Sequence, residues 1–309
     1  MEKGTSLWKD AWHRLAHNRA AIVSLGVLIV ILLSCFIGPL LPWVKSPTLI
    51  NLANSSAAPS AAHWFGTDSL GRDLFARVLY GGQVSLLVGL VATAVAVVIG
   101  VVYGAVAGYA GGKIDDLLMR FVDILFALPF LVLVILFALV VDKPASEFTE
   151  WMIQTTGFAR DRVAPITTLI PLFIAIGAIG WLTIARIVRA QVMAVKKQEF
   201  VEAAVSLGLS RTRILFRHIL PNVIGPIIIY TTLAVPGIML LESVLSFLGL
   251  GVKPPNSSWG ILIKEGADRM ETSWLLLFFP SLFFASTLFA LNFLGDGLRD
   301  ALDPKSAKD

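Results

Sequence analysis

Six stretches of the chain are almost unbroken apolar sequence: residues 21–41, 84–108, 117–141, 164–185, 223–247 and 274–295. Each is long enough to cross a hydrocarbon core of about 30 Å as an α-helix, which takes ~20 residues. Short alternating strands, the mark of a membrane barrel, do not occur. The pattern predicts an all-α polytopic membrane protein with six transmembrane helices. Within the second stretch Ala92, Ala96, Gly100, Gly104 and Gly108 recur every four residues, a ridge of small side chains along one helical face. Such ridges let neighbouring backbones approach closely, either inside one chain or across a dimer seam. Pro129, Pro171, Pro226, Pro236 and Pro280 fall within or near the ends of stretches. Each removes a backbone donor and loosens the helix. The pair Pro236–Gly237, midway along the fifth stretch, reads as a kink facing a cavity or as a packing irregularity.

The polar positions set the orientation. With the amino terminus inside, the inner segments are 1–20, 109–120, 186–222 and the tail after 295, and they hold 16 of the 25 Lys and Arg. The outer segments 42–83, 142–163 and 248–273 hold 9. Cytoplasmic loops carry the excess of positive charge, so both termini are expected inside. The first stretch exceeds the ~7–15 residues of a signal-peptide core, and a retained anchor is expected. The expected organisation is 1–83 as tail, first helix and external loop, 84–303 as a five-helix core with a cytoplasmic loop at 186–222, and 304–309 as a tail. Residues 42–65 and 142–163 are external loops, the latter with a short helical piece around Glu150–Gln154.

Composition agrees with the class. Of 309 residues 56% are hydrophobic and 15% charged, where soluble domains carry about 25% charged residues. The net charge of +4 reflects the inner bias and calls for no nucleic-acid partner. One cysteine, Cys35, excludes a disulfide framework and a cysteine metal site. Four histidines (His13, His17, His63 and His218) lie outside the stretches, and no HExxH occurs, so neither a metal nor a catalytic site is expected. Arg120 and Asp123, three apart, suggest a local pair. Glu242 lies 19 residues beyond Val223, about 29 Å along a helix. It is either hydrated near the outer surface or a carboxylate facing a pathway.

One segment breaks the apolar theme: EFVEAAVSLGLSRTRILFRHILPN, residues 199–222. Phe200, Ala203, Ala204 and Leu207 form a helical stripe, Gly208 ends it, and Ser210 is a good N-cap for a second short helix. Pro221 marks the start of the fifth span. A helix–turn–helix at the inner surface, with small residues at its turn, suits either a docking surface or a solvated loop.

The residues EAA at 202–204, Gly208 and Leu220–Pro221 resemble the EAA motif of ABC importer permeases, although His218 stands where the generic motif has Ile. FRHILPN at 216–222 resembles the peptide branch. FGTDSLGRDLFARVLYGG at 65–82, ESVLSFLGLGVKPPNSSWG at 242–260 and NFLGDGLRDALDPK at 292–305 agree, nearest to the C-type permease subunit of oligopeptide importers. The resemblance implies a type I ABC importer permease fold in the bacterial cytoplasmic (inner) membrane. It implies a homologous B-type permease, two cytoplasmic ABC ATPases, and a periplasmic or lipid-anchored binding protein that delivers peptide. Glu202, Ala203, Ala204, Gly208, Leu220 and Pro221 then form the ATPase-coupling surface. Relatives of the branch also carry dipeptides, murein peptides or nickel chelates. The sequence adds that no GxxxxGK[ST] is present, because GGK at 111–113 is followed by Ile. ATP and Mg would be bound by the partner ATPases. An ion-coupled secondary transporter is the rival class, but it needs ionisable or unwound mid-membrane sites. An intramembrane enzyme needs a nucleophile beside a base, which the spans lack.

Overall fold

The computed structural model describes residues 7–157, 163, 167–253 and 256–302. The expected tail 304–309 and residues 158–162 of the expected outer loop lie outside the described residues. The helices are α1 (Leu7–His17), α2 (Arg19–Phe36), α3 (Leu74–Ala110), α4 (Gly112–Ala127), α5 (Phe130–Thr156), α6 (Ile170–Lys196), α7 (Glu199–Ser206), α8 (Arg211–Ile214), α9 (Leu220–Phe247), α10 (Trp259–Ala267) and α11 (Leu275–Leu302). A π-helical turn, Leu215–Ile219, leads from α8 into α9. Among the described residues five helical stretches are long and apolar enough to cross a membrane, and α4 with α5 makes a sixth if taken as one bent span. The architecture is an all-α polytopic membrane fold.

The small-residue ridge organises the bundle. A Cβ added to Gly100 would lie 2.8 Å from Cβ of Ile184, and one on Gly108 would lie 2.7 Å from the carbonyl oxygen of Arg189. From the other side, a Cβ on Gly177 would lie 2.7 Å from Val95. The ridge of α3 therefore packs on α6 within the chain, and the contacts rise together along both helices, so α3 and α6 run parallel. A parallel pair requires the intervening chain to cross back, which is the task of α4 and α5.

The return does not follow the expected single helix over 117–141. Leu128 is extended (φ −82°, ψ 145°) ahead of Pro129, and α4 and α5 diverge by 96° at this break. A residue before proline is driven out of the helical region by the proline ring, and here no neighbour restores the helix. The expected external loop 142–163 is likewise helical through Thr156, and α5 ends at Gly157 with φ +68°. Asp123 pairs with Arg186 of α6 at 2.6 Å, not with Arg120. Arg189 grips Asp115 with two hydrogen bonds, from Nε at 2.5 Å and Nη2 at 2.6 Å. These partners hold α4 against the end of α6 and let α6 run to Lys196, beyond its expected end at residue 185. The GGK sequence is only the α3–α4 connector, with Gly111 and Gly112 both at positive φ.

A core runs through α3, α6 and α9 and continues into α7 and α8. A second core joins α2, α10 and α11 to the start of α3 and to Val235 and Met239 of α9. The amphipathic α1 sets Ala11 and Leu15 against Ala21 and Ala301.

Gly104 tests the ridge, because a side chain there meets the Ala185 backbone carbonyl, which cannot rotate away. Gly104→Leu is expected to destabilise the purified complex by about 3 kcal/mol or more, at or above the usual cost of overpacking. Gly237→Ala, where nothing lies within 4 Å, is expected to change stability little. Thermal unfolding of the two variants checks the contrast.

Candidate functional site

The segment 199–222 folds as two short helices around a tight turn. Glu199 and Glu202 sit in the first turn of α7, where carboxylates favour the positive end of the helix dipole. At the other end Gly208 N donates to Val205 O (3.0 Å) and Leu209 N to Ala204 O (3.2 Å). This is the Schellman arrangement, with Gly208 in the left-handed position at φ +72°. Ser210 caps α8 by accepting from Arg213 N at 3.4 Å.

The inward face fixes the turn to the bundle. Val201, Ala204, Ile214, Leu215 and Ile219 are buried in the same core as Val192, Val195 and Val223. The outward face is uncovered and apolar: Leu207 is 79% exposed and Phe216 65%, with Phe200 and Val205 also exposed. Of the expected coupling residues, Glu202, Ala203, Gly208 and Pro221 are exposed, Leu220 is half-buried, and Ala204 faces inward. The predicted stripe therefore divides, with Ala204 in the core and Phe200, Ala203 and Leu207 outside. Nothing lies within 4 Å of where a Cβ on Gly208 would stand. Within this chain the glycine is required by its backbone angle and not by packing.

The expected pathway residues are distributed differently. α9 is helical without interruption through Pro226 and Pro236. Pro236 is buried while Gly237 faces out. Glu242 neither faces an open mouth nor is hydrated, since its residue exposure is 0%. The chain after α9 folds back over it. Glu242 accepts hydrogen bonds from Ser246 Oγ (2.7 Å) and Ser85 Oγ (3.2 Å). Ser258 Oγ lies 3.3 Å from Ser246 Oγ, which in turn accepts from Val252 N. Trp259, fully buried, donates its backbone N–H to Ser85 Oγ (3.1 Å) and its indole N–H to Val78 O (2.9 Å). Glu242 is thus the centre of a polar knot that seats α10.

A second polar cluster lies at the start of α3. Arg77, in the first turns of α3, donates to Asp68 (2.8 Å) and twice to Glu265 of α10 (2.6 and 3.0 Å). Arg72 Nε donates to the same Asp68 oxygen at 2.7 Å, and the other Asp68 oxygen accepts from Leu70 N and Arg72 N. Asp73 caps α3 through Ala76 N and accepts from His63 Nδ1 at 2.8 Å. Gly71 bends the loop at φ +70°, where a Cβ would collide with the Asn51 carbonyl. These contacts let α3 begin at residue 74, ten residues before its apolar stretch. The signal lay in the alternating charges of TDSLGRDLFAR, but their partner Glu265 is 188 residues from Arg77.

Residues 100–308 match the family described as binding-protein-dependent transport system inner membrane component. Residues 6–59 match the N-terminal TM domain of oligopeptide transport permease C. The chain is 45% identical over 304 residues to the oligopeptide transport system permease protein OppC of Haemophilus influenzae, covering 98% of this chain and 90% of the relative. It is 47% identical over 304 residues to the protein of the same name from Escherichia coli K12, covering 98% and 93%. Identity to the dipeptide transport system permease protein DppC of Bacillus subtilis is 41% over 301 residues, covering 97% and 86%.

Removing Glu242 leaves buried hydroxyls without their acceptor, and each orphaned group costs about 1–3 kcal/mol. Glu242→Ala is expected to destabilise the purified complex by ~3 kcal/mol, with Glu242→Gln less harmful because its carbonyl still accepts. Thermal unfolding monitored alongside uptake checks this. Unchanged stability with lost uptake would restore a pathway role for the carboxylate.

Proposed function

We propose a role from the premise that this chain belongs to the family of binding-protein-dependent transport system inner membrane components. It is the C-type permease subunit of an oligopeptide ABC importer in the bacterial inner membrane, and it forms half of the translocation pathway. The observation that carries this reading is the near full-length similarity to relatives named for oligopeptide transport, at 45–47% identity. Relatives named for dipeptide and glutathione transport stand at 41% and 37%, and the oligopeptide permease of Bacillus subtilis at 40%. The match of the amino-terminal segment to the oligopeptide permease C type supports the same choice.

The partners implied are a B-type permease, two cytoplasmic ATPases and an extracytoplasmic peptide-binding protein. The 16-to-9 division of positive charge supports an inward-facing α7–α8 turn. The coupling reading rests on the construction of that turn. Its inner face is welded to α6 and α9, so force applied to it reaches the spans. Its outer face offers Phe200 and Leu207 uncovered around a glycine with open space above it. Exposed aromatic and aliphatic anchors of this kind fill pockets on partner proteins. The proposed occupant is a groove of the ATPase. Glu202, exposed at the same turn, supplies a charge for complementarity.

Combining Gly208→Trp with Glu202→Lys is expected to leave membrane insertion intact and to lower peptide-stimulated ATP hydrolysis by about tenfold, equivalent to losing ~1.4 kcal/mol of interface energy. Gly208→Asn, which tolerates the left-handed backbone, is expected to lose much less. The measurement is ATPase activity of the reconstituted complex with and without loaded binding protein. Full stimulation by the double variant would mean that the turn is merely solvated.

A further inference from the structure

A cleft of about 490 Å³ opens beside the coupling turn, where the ends of α3 and α6 meet the start of α8. Tyr109 and Ala110 close α3, Lys196 closes α6, and Arg211 opens the stretch that leads into α9. The apolar stretch of α3 stops at residue 108, so the cleft at Tyr109 and Ala110 lies just past it, on the side of the coupling turn. Its lining divides by chemistry. Lys196 and Arg211 contribute two cations, Thr212 adds a hydroxyl, and no carboxylate lines it. Val106 and Phe216, both exposed, and Leu215 supply an apolar wall.

The two cations are held differently. Lys196 Nζ donates to the Tyr109 carbonyl at 2.6 Å and stands 5.3 Å from the centre of the Tyr109 ring. That fixes the ammonium at the cleft while leaving two of its three donors for another acceptor. Arg211 forms no ion pair among the described residues, and its planar fork matches the oxygens of a phosphate. Two cations without a facing anion beside an apolar wall, at the membrane boundary, describe the complement of an amphiphile with an anionic head.

We propose that this cleft binds the phosphate headgroup of an anionic membrane lipid, with Lys196 and Arg211 on the phosphate and Val106, Leu215 and Phe216 against the first segment of an acyl chain. Basic pockets between membrane helices on the inner face recognise such heads, and each cation near an anionic surface contributes ~1 kcal/mol. The position gives the lipid a consequence. It bridges the ends of α3 and α6 to α8, and so stiffens the element that carries the coupling turn.

The test uses the whole importer complex in detergent, with phosphatidylglycerol, phosphatidylcholine or inorganic phosphate added and bound lipid counted by native mass spectrometry. Phosphatidylglycerol is expected to bind at least about tenfold more tightly than phosphatidylcholine. Lys196→Gln with Arg211→Gln is expected to weaken it by about 25-fold, roughly fivefold for each cation. Lys196→Arg, which keeps the charge, is expected to retain binding. Inorganic phosphate at equal concentration is expected not to displace the lipid, since it has no chain for the apolar wall. Unchanged phosphatidylglycerol affinity in the double variant overturns the proposal. So does displacement by phosphate, which would make this a site for the free anion. Dissociation of the ATPase subunits from the double variant with lipid binding unaltered would assign the cleft to a protein contact and equally overturn it.

Discussion

The backbone contact between α3 and α6 is the constraint on which the rest of the structure depends. Lipid chains are as apolar as leucine, so two helices in a membrane gain little from simply hiding hydrophobic surface. Close approach of backbones supplies the dispersion energy instead, and it needs side chains of no size. Gly100 and Gly108 of α3 meet Ile184 and the Arg189 backbone, while Gly177 of α6 meets Val95. Once this pair is fixed and parallel, α4 and α5 must return across the bundle, and α6 must end beside α3. That end is where α7 and α8 hang, so the proposed coupling surface is a continuation of the most tightly packed helix pair.

Charge is placed where partners neutralise it, and this decides where helices begin and stop. Arg77 would be costly in the first turns of a membrane helix, yet Asp68 and Glu265 surround it. Arg189 is held by Asp115. Both pairings join elements distant in sequence, and both extend a helix past its purely apolar stretch. At the opposite end from the α7–α8 turn, the hydroxyls of Ser85 and Ser246 answer Glu242. The knot fastens α10 between α3 and α9, so the outer portion is as firmly tied as the inner one.

What the sequence made legible follows from how local each cause is. The ridge of Ala92, Ala96, Gly100, Gly104 and Gly108 declares itself by its period of four, and the left-handed turn at Gly208 by its flanking helical stripe. The break at Leu128–Pro129 was not legible, because Pro226, Pro236 and Pro280 sit inside intact helices. Sequence does not say which proline finds neighbours to restore its turn. Distance along a helix placed Glu242 toward the far end of α9 but carried no word on what would cover it. The return segment and α10 supply that cover, and α10, capped by Ser258 through Ile261 N, is too short to stand out between the apolar stretches.

The outer face of the α7–α8 turn is proposed as the surface on which a partner ATPase packs. Site-directed cross-linking measures this contact itself. Leu207 is exposed and Ala204, three residues away on α7, is buried. A cysteine placed at each position in turn, in the complete complex, should react differently with a short cross-linker that joins a thiol to a lysine amine of the partner. This chain's only native cysteine, Cys35, is buried and adds no background of its own. Leu207→Cys is expected to join to the ATPase in good yield, with a yield that changes between the nucleotide-free and ATP-bound complex, while Ala204→Cys stays unlinked. Failure of Leu207→Cys to cross-link in either nucleotide state, with the complex intact, would contradict it.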